Sequence, residues 1–373
     1  MLISNLYNLL FFNNLNIYLS TDFPISTSTH YHIITSTNQL MFNHLQAIFH
    51  PDRFQGWGKS KRYFEGWYFK VVNSDESKAL AYIPGIAMDK KGTKQAFIQV
   101  IDGKKRTAEY HTFNAAEFRP QACKFEIEIA TNFFSNDTLR LNLPSSTGQL
   151  RFTDLTPWPS TFYSPGIMGP YSFMPFMECY HGILSMNHRI EGQLVIHGET
   201  VDFTNGMGYI EKDWGQSFPS AYFWMQTNHF SQPGVSVKAS VAKIPWMGSS
   251  FIGFIAGVWL HNQLIQFTTY NGSHLIKSYA DRNVVKLVME NKKYRLEILA
   301  HRETSTQLAS PILGIMDGRI EESMTSLIDV QLYDKKSQNI ILLDVGRNAG
   351  LEVAGKISEL TFPVYRNSRK DNF

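Results

Sequence analysis

Apolar and polar residues alternate along many short stretches of this chain, and no other feature limits its fold as strongly. The alternation is clear in residues 123–130, 138–143, 292–301 and 327–334. A period of two places every second side chain on the same face of a strand, so the pattern is typical of strands buried on one side. Convincing amphipathic helical patterns are absent. The sequence therefore predicts an antiparallel all-β fold of the barrel or sandwich type.

The length of the chain and one irregular segment indicate how the strands are organised. A chain of 373 residues suits two domains of medium size. We expect an N-terminal β-domain at residues 41–200 and a C-terminal β-domain at residues 201–365. Residues 153–177 contain five prolines and many aromatic side chains, a composition that does not fit a strand. We expect this segment to be irregular and to lie near the mouth of a cavity.

Residues 1–40 differ in composition from the rest of the chain. They contain no lysine or arginine and one acidic residue, Asp22. A secretory signal needs basic residues ahead of its apolar stretch, and none precedes residues 9–12, so a cleaved export signal is the weaker interpretation. We expect a disordered extension, or translated upstream sequence with the true start at Met41. Its deletion is then expected to leave the melting temperature unchanged.

The composition excludes several classes of function. The chain has 35 basic and 32 acidic residues, and a net charge of +3 is too small for a nucleic-acid-binding surface. Charged residues make up 18% and aromatic residues 14% of the chain, which suits a large core and an apolar cavity. Cys123 and Cys179 are the only cysteines, so we expect free thiols in a reducing, cytoplasmic compartment. No apolar run is long enough to predict a membrane-spanning helix.

Glu65 is the first carboxylate that stands among aromatic residues. It lies in residues 62–71 and is followed by Trp67 and Tyr68. Aromatic surroundings raise the pKa of a carboxyl group by desolvation, which suits an acid catalyst. A surface glutamate on a strand with an aromatic inner face explains the same pattern, so both interpretations stay open.

A second polar group contains Glu178, Tyr180 and His181. Glu178 and Tyr180 share one face if the segment is an extended strand. A lone histidine is more often a structural residue than a ligand. The metal-binding spacings HxH, HExxH and CxxC are missing, apart from His30 and His32 inside the N-terminal extension, so the sequence predicts no metal site.

A third group places two carboxylates on one strand face. Glu211 and Asp213 alternate with Lys212 and Trp214, which take the other face. Two carboxylates on one face are costly unless they are solvated, paired or used in chemistry. An exposed charged face with Trp214 in the core is the alternative. The next stretch adds the polar residues Gln226, Asn228 and His229 among the aromatic side chains of Phe223, Trp224 and Phe230.

Residues 311–324 carry a fourth polar group, which includes Asp317, Arg319, Glu321 and Glu322. We interpret it as a polar loop and a salt-bridged edge. The dinucleotide pattern GxGxxG and the P-loop are both missing from the sequence, so no nucleotide cofactor is expected. A GxSxG elbow is missing too, which leaves serine hydrolysis unsupported.

Two motifs resemble signatures of the tocopherol cyclase family. RYFEGWYFKV at residues 62–71 resembles the N-terminal signature, and EKDWGQSFPSAYFWMQTNHF at residues 211–230 resembles the central one. Residues 308–355 are similar to the C-terminal segment, more weakly. The resemblance covers about residues 50–360. Since that family is similar to carotenoid 1,2-hydratases, it implies two lipocalin-like (calycin-type) antiparallel β-barrel domains and an apolar cavity.

The resemblance also implies a reaction. Tocopherol cyclases close the chroman ring of a prenylated hydroquinone by protonating an alkene and trapping the tertiary cation with a phenolic oxygen. An intramolecular lyase or isomerase without cofactor is therefore expected. Asp213 stands where plant cyclases carry asparagine, which leaves open a prenyl lipid other than a tocopherol precursor. Two further functions stay open: a non-catalytic lipocalin-like binder of an apolar isoprenoid, and an isoprenoid hydratase or isomerase.

The resemblance places the proton donor at Glu211, which opens the E-K-x-W-G signature. Asp213 and Glu65 are the weaker catalytic candidates. If Trp214 faces the core, Glu211 faces away from it, which requires a strand whose two faces are both buried. The substrate-binding residues expected around the acid are Trp67, Tyr68, Glu178, Tyr180, His181, Trp214, Trp224, Gln226 and Asn228.

A hydrophobic prenyl-lipid substrate dissolves in a bilayer, so we expect peripheral work at a membrane surface. The candidate membrane contacts are Phe162, Tyr163 and Phe173 in the irregular segment. Delivery of the substrate by a carrier is the alternative. No nucleic-acid partner is expected, and the sequence leaves the oligomeric state open.

Overall fold

The computed structural model of the chain describes residues 48–362. The N-terminal extension expected at residues 1–40 and the expected start at Met41 lie outside the described residues. Strands dominate the described part, and short 3₁₀ turns occur at Ala115–Glu117, Gly169–Phe173 and Ile357–Glu359. No helix of the described part is long and apolar enough to cross a membrane.

The first sheet is formed by the N-terminal strands. They are β1 (Tyr63–Val72), β2 (Ala79–Met88), β3 (Lys94–Asp102), β4 (Thr107–Asn114), β5 (Phe118–Pro120), β6 (Glu126–Ile129), β7 (Asn132–Ser135), β8 (Thr138–Asn142), β9 (Ser146–Thr153), β10 (Cys179–Ile196), β11 (Glu199–Asp202) and β12 (Gly206–Gly215). Their order is β4-β3-β2-β1-β12-β10-β9-β8-β7-β6-β5, and β11 pairs with β10.

The second sheet is formed by the C-terminal strands. They are β13 (Ala221–Thr227), β14 (Ser236–Trp246), β15 (Ser249–Leu260), β16 (Gln263–Thr268), β17 (His274–Ala280), β18 (Val284–Glu290), β19 (Tyr294–His301), β20 (Thr306–Ile312), β21 (Ile315–Asp334) and β22 (Ile340–Gly355). Their order is β16-β15-β14-β13-β22-β21-β19-β18-β17, and β20 pairs with β21.

The two antiparallel sheets confirm the predicted all-β fold class. The alternating stretches at residues 138–143 and 292–301 contain β8 and β19, in which the apolar positions are buried. The chain passes from the first sheet to the second between Gly215 and Ala221. The division into folding domains near residue 200 stays a prediction.

Buried apolar side chains form three clusters. The first cluster belongs to the first sheet and the second cluster to the second sheet. The third cluster contains side chains of both sheets, among them Tyr68 and Tyr209 from the first and Tyr222 and Trp224 from the second. The sheets are therefore joined by an apolar interface, which is rich in aromatic side chains.

Strands β1 and β12 pair with each other and use both of their faces. In β12, Ile210 packs in the first cluster while its neighbour Tyr209 packs in the third. In β1, Trp67 and Tyr68 divide in the same way. Because successive side chains of a strand point to opposite faces, Glu211 shares the face of Tyr209 and points to the interface between the sheets. Both faces of β12 are therefore buried, which is the condition for Glu211 to lie in a buried site while Ile210 packs in the core.

Residues 153–177 connect β9 to β10 without forming a strand between them, as the sequence predicts. The connection packs on the second sheet. Tyr270 donates a hydrogen bond to the carbonyl oxygen of Ile167 at 2.7 Å. Trp158 lies so close to Gly257 of β15 that a Cβ at this glycine would come within 2.5 Å of the indole ring. Glycine at this position therefore lets the indole lie directly on the strand.

Candidate active site

An apolar cavity of about 140 Å³ lies between the two sheets. Its polar lining is gathered at His181, Glu211, Asp213, Lys238, Ser240 and Glu352, and its apolar lining includes Met168, Tyr171, Met177, Phe218, Tyr222, Trp224, Phe251, Phe254 and Tyr270. Three of these residues belong to the irregular segment at residues 153–177. The predicted position of that segment near a cavity is thus confirmed.

Glu211 reaches the cavity from β12 and is only 4% exposed. Tyr209 donates a hydrogen bond to its Oε2 atom, and the indole Nε1 of Trp224 donates a second one at 3.1 Å. Burial raises the pKa of Glu211, and the charge of Asp213 raises it further, while His181 and Lys238 oppose the rise. The carboxyl group is therefore arranged to hold its proton at a higher pH than an exposed glutamate does.

His181 and Asp213 are paired across β10 and β12. The Nδ1 atom of His181 lies 2.7 Å from Oδ1 of Asp213. Its Nε2 atom lies 3.5 Å from Oε2 of Glu211 and has no hydrogen-bond partner among the described residues. The imidazole thus stands between the two carboxylates, with one nitrogen facing each of them.

The same three side chains have the geometry to hold a cation. One ligand atom each from His181, Glu211 and Asp213 lie within 4.8 Å of one another. A search for metal-binding spacings misses this set because its members come from two strands far apart in the sequence. The hydrogen bond between His181 and Asp213 accounts for their arrangement without a metal.

Lys238 of β14 lies in the opposite wall of the cavity and is fully buried. Its Nζ atom donates a hydrogen bond to Oγ of Ser240 at 2.8 Å. Burial lowers the pKa of this amine to about 8. The sequence analysis missed Lys238, because a lysine that alternates with Val237 and Ala239 reads as a solvated position until the covering sheet is known.

Two further carboxylates face each other where β21 pairs with β22. Glu322 is buried and Glu352 is half-buried. Tyr68 donates a hydrogen bond to Oε1 of Glu322, and Tyr222 donates one to Oε2 of Glu352 at 2.7 Å. Burial raises the pKa of Glu322 to about 8 and raises that of Glu352 well above its ordinary value. The expected polar loop at Glu322 is wrong, since this residue is only 1% exposed on a strand.

Glu65 lies on the other face of the first sheet and does not line the cavity. Its Oε1 atom forms a fully buried ion pair with Nζ of Lys212 at 2.6 Å. Tyr63 and the backbone amide of Gln55 donate further hydrogen bonds to the carboxylate. The ammonium of Lys212 also lies 4.7 Å from the ring centre of Trp67. This arrangement gives Glu65 a structural role on the face away from the cavity.

Glu178, Tyr180 and Trp214 lie beside the cavity lining without forming part of it. The ring of Tyr180 stacks on that of Trp214 at 5.5 Å, and its hydroxyl donates to the carbonyl oxygen of Met174. Glu178 is half-buried, and burial raises the pKa of its carboxyl group. Its neighbours Met177 and Cys179 contribute to the cavity instead.

Tyr68, Gln226 and Asn228 lie along the interface between the sheets rather than in the cavity wall. The ammonium of Lys70 donates to Oε1 of Gln226 at 3.0 Å. The side chain of Asn228 donates to the carbonyl oxygen of Gly208 at 2.9 Å. The structure therefore brings four of the residues predicted from the sequence into the cavity wall, and these are His181, Glu211, Asp213 and Trp224.

A sequence profile described as tocopherol cyclase-like matches residues 141–355, which is more than half of the chain. This chain belongs to the tocopherol cyclase-like family. The matched span includes every polar residue of the cavity lining. The family identified from the sequence is confirmed, and the motif at residues 211–230 lies inside the matched span, while the motif at residues 62–71 lies outside it.

Two curated plant proteins are similar to part of the chain. A protein named tocopherol cyclase, chloroplastic, of Zea mays is 28% identical over 194 residues, which are 48% of this chain and 40% of the maize protein. A probable tocopherol cyclase, chloroplastic, of Oryza sativa subsp. japonica is 28% identical over 193 residues, with the same shares. The match therefore spans less than half the length of either plant protein.

Among solved structures, the crystal structure of CghA with Sch210972 has a similar fold. The TM-score is 0.50 at 10% sequence identity, and the match covers 79% of this chain and 89% of that chain. Similarity at this level of identity shows a shared fold and nothing about activity. The predicted lipocalin-like, all-β fold class is confirmed.

Proposed function

We propose that this protein is a cofactor-independent cyclase that closes an oxygen ring on a prenylated hydroquinone. Glu211 protonates the alkene of the prenyl chain, and a phenolic oxygen of the same molecule traps the tertiary cation. One observation carries the proposal, namely that a buried carboxyl group with a raised pKa lines an apolar, aromatic cavity. Membership of the tocopherol cyclase-like family supports it.

The hydrogen bonds of Glu211 leave one of its oxygens free for proton transfer. Tyr209 and Trp224 both donate to Oε2, and His181 faces the same atom. Among residues 48–362, no hydrogen-bond donor contacts Oε1. We assign the transferable proton to Oε1, because the donors at Oε2 stabilise the negative charge left after the transfer.

Aromatic side chains around the acid suit a cationic intermediate. Phe218, Tyr222, Trp224 and Phe254 line the cavity. Contact with an aromatic face stabilises a cation by roughly 0.5–2 kcal/mol. An apolar lining also keeps water from the cation, which water would otherwise trap as an alcohol. The cavity therefore favours capture by an oxygen within the same molecule.

Ring closure is an isomerisation, so the proton that Glu211 gives up must return to it. The alkene carbon gains that proton, the carbon–oxygen bond forms, and the phenolic O–H bond breaks. His181 faces Glu211 through Nε2 and is held by Asp213 through Nδ1. We assign to His181 the return of the phenolic proton to the carboxylate through Oε2, and a shift of that proton to Oε1 restores the acid with no net change in charge.

Two other functions use the same cavity in different ways. A non-catalytic binder needs no acid, and the carboxyl groups in the cavity wall argue against it. A hydratase uses the same acid with water as the trap, and a double-bond isomerase loses a proton instead. The products differ, since hydration adds the mass of one water, ring closure removes the alkene at constant mass, and isomerisation keeps an alkene.

The test is incubation with a panel of prenylated hydroquinones, followed by mass spectrometry and NMR of the products. Glu211→Gln keeps the shape of the side chain and removes its proton, so turnover falls by about 10²–10⁴-fold. Glu199→Gln is the control, because Glu199 is 63% exposed and pairs with Lys78 at the surface. Full activity of Glu211→Gln would reject the acid, and binding of every panel member without any product would favour the binder.

A further inference from the structure

Lys238 is a buried cation whose hydrogen bonds are incomplete within residues 48–362. Its side chain is fully buried and lines the cavity. Its Nζ atom donates to Oγ of Ser240, at 2.8 Å. Within residues 48–362, no other acceptor lies within hydrogen-bond distance of Nζ, and no ion pair includes it.

An ammonium group carries three N–H donors, and Ser240 accounts for one of them. Leaving the other two without acceptors in an apolar cavity is costly, since a buried charge needs both a counter-charge and hydrogen bonds. The cost shows in the pKa of Lys238, which burial lowers to about 8. An acceptor supplied from within the cavity would complete the site.

The neighbouring carboxylates act on Lys238 only through long-range electrostatic attraction and form no ion pair with it among the described residues. Glu211 and Asp213 both act to raise the pKa of Lys238, so the three groups share one electrostatic environment. Those carboxylates already have closer partners, which are Tyr209 and Trp224 for Glu211 and His181 for Asp213. Because Lys238 and Glu211 line the same cavity, a ligand oxygen bound there can accept a hydrogen bond from Lys238.

We propose that Lys238, held by Ser240, is the subsite for a phenolic oxygen of an otherwise apolar ligand. A phenol accepts a hydrogen bond from an ammonium group and loses its own proton more readily beside it. The aromatic and aliphatic lining receives the rest of the ligand. The inference rests on the proposed function for the identity of the oxygen. It deepens that function by placing the phenolic oxygen that attacks the cation on the cavity wall opposite Glu211.

The test is equilibrium binding with a probe that cannot react. The probe is a phenol that carries a saturated ten-carbon isoprenoid chain next to its hydroxyl group, and the comparison compound is the methyl ether of the same phenol. Neither has an alkene to protonate. Quenching of tryptophan fluorescence reports binding, because Trp224 lines the cavity. The wild type is expected to bind the phenol about 10-fold more tightly than the ether, which corresponds to about 1.4 kcal/mol.

Lys238→Met keeps an unbranched side chain that is one atom shorter and removes the charge and the donors, so the ratio of the two affinities is expected to fall to about one. Lys243→Met is the control on the same strand, since Lys243 is partly exposed and pairs with Glu359; its ratio is expected to match the wild type. Equal affinities in the wild type overturn the proposal, and this comparison does not depend on any variant folding. A preference retained in Lys238→Met overturns it too.

The outcomes separate this inference from the proposed function. Suppose that the wild type prefers the phenol, that Lys238→Met does not, and that the wild type converts no prenylated hydroquinone. This result supports the subsite and rejects the cyclase. If the wild type converts hydroquinones and binds the phenol and the ether equally, the result supports the cyclase and rejects the subsite.

Discussion

The indole Nε1 of Trp224 donates a hydrogen bond to Oε2 of Glu211 at 3.1 Å, and this bond joins the second sheet to the first at the carboxyl group. Glu211 belongs to β12 and Trp224 to β13, which are connected by five residues. The backbone amide of Gly314 fixes this connection by donating to the carbonyl oxygen of Gln216 at 2.7 Å. Each sheet contributes half of the surroundings of the acid, so the site requires both sheets in their packed positions.

We expect Asp213 to set the pH dependence of the proposed reaction rather than to supply the proton. Glu211 must be protonated to act, so turnover falls as the pH rises through its raised pKa. The charge of Asp213 contributes to that rise, and Asp213→Asn removes the charge. We expect the falling limb of the profile of kcat against pH to move to lower pH, and turnover on its acidic side to fall less than about 10-fold. A loss of about 10²–10⁴-fold at every pH would instead make Asp213 the acid.

Glu65 is expected to matter for stability and not for chemistry. Its ion pair with Lys212 is fully buried, and removing one partner leaves an uncompensated charge. Glu65→Gln should therefore lower the free energy of unfolding by about 3–5 kcal/mol, measured by chemical denaturation. Turnover per folded molecule, measured well below the melting temperature, should stay within about 10-fold of the wild type. Removal of a general acid would reduce turnover by more than that, about 10²-fold or more. A stable Glu65→Gln protein without activity would return Glu65 to the list of catalytic candidates.

Glu322 is expected to make the protein less stable as the pH rises. Its pKa is raised from 4.5 to about 8 by burial, so the folded state holds this proton more tightly than the unfolded state. Its contribution to stability is fully present below pH 4.5 and is lost as the pH rises to about 8. The difference in unfolding free energy between wild type and Glu322→Gln should fall by up to about 1.4 kcal/mol per pH unit across this range. Glu321→Gln, at an exposed neighbouring position, is the control for the loss of a carboxylate from the same strand.

The period-two pattern was sufficient to predict the strands and the shared face of Glu211 and Asp213. Both residues line the cavity, because alternation along one strand is a local property that the sequence contains. The central family signature added Trp224 as a neighbour of the acid, and His181 came from its own polar group with Glu178 and Tyr180. Partners on other strands depend on the pairing register, and the register of β1 with β12 brings Lys212 next to Glu65 only in the folded sheet.

Burial by a second layer was the property that the sequence could not give. Lys238 alternates with Val237 and Ala239, and Glu322 stands between the polar residues Glu321 and Ser323. Both therefore resemble strand positions open to solvent. Each is buried because the first sheet covers that face of the second. A charged residue on a strand is usually solvated, and no local signal distinguishes the two that are covered. The packing of one sheet on the other therefore buries Lys238 and Glu322 in the cavity wall and its surroundings.

The irregular segment at residues 153–177 is expected to bind membranes through its exposed aromatic side chains. Phe162 is 58% and Tyr163 80% exposed, while Met168 of the same segment lines the cavity, so a substrate could pass from a bilayer to the acid. Flotation with phosphatidylcholine vesicles should carry the wild type upward and leave a Phe162→Ser, Tyr163→Ser variant at the bottom, since buried aromatic area drives such binding. Leu343→Ser is the matched control, because Leu343 is 62% exposed on β22 and lies outside this segment. Its flotation should equal that of the wild type. A wild type that stays at the bottom would count against direct uptake from the bilayer and favour delivery by a carrier.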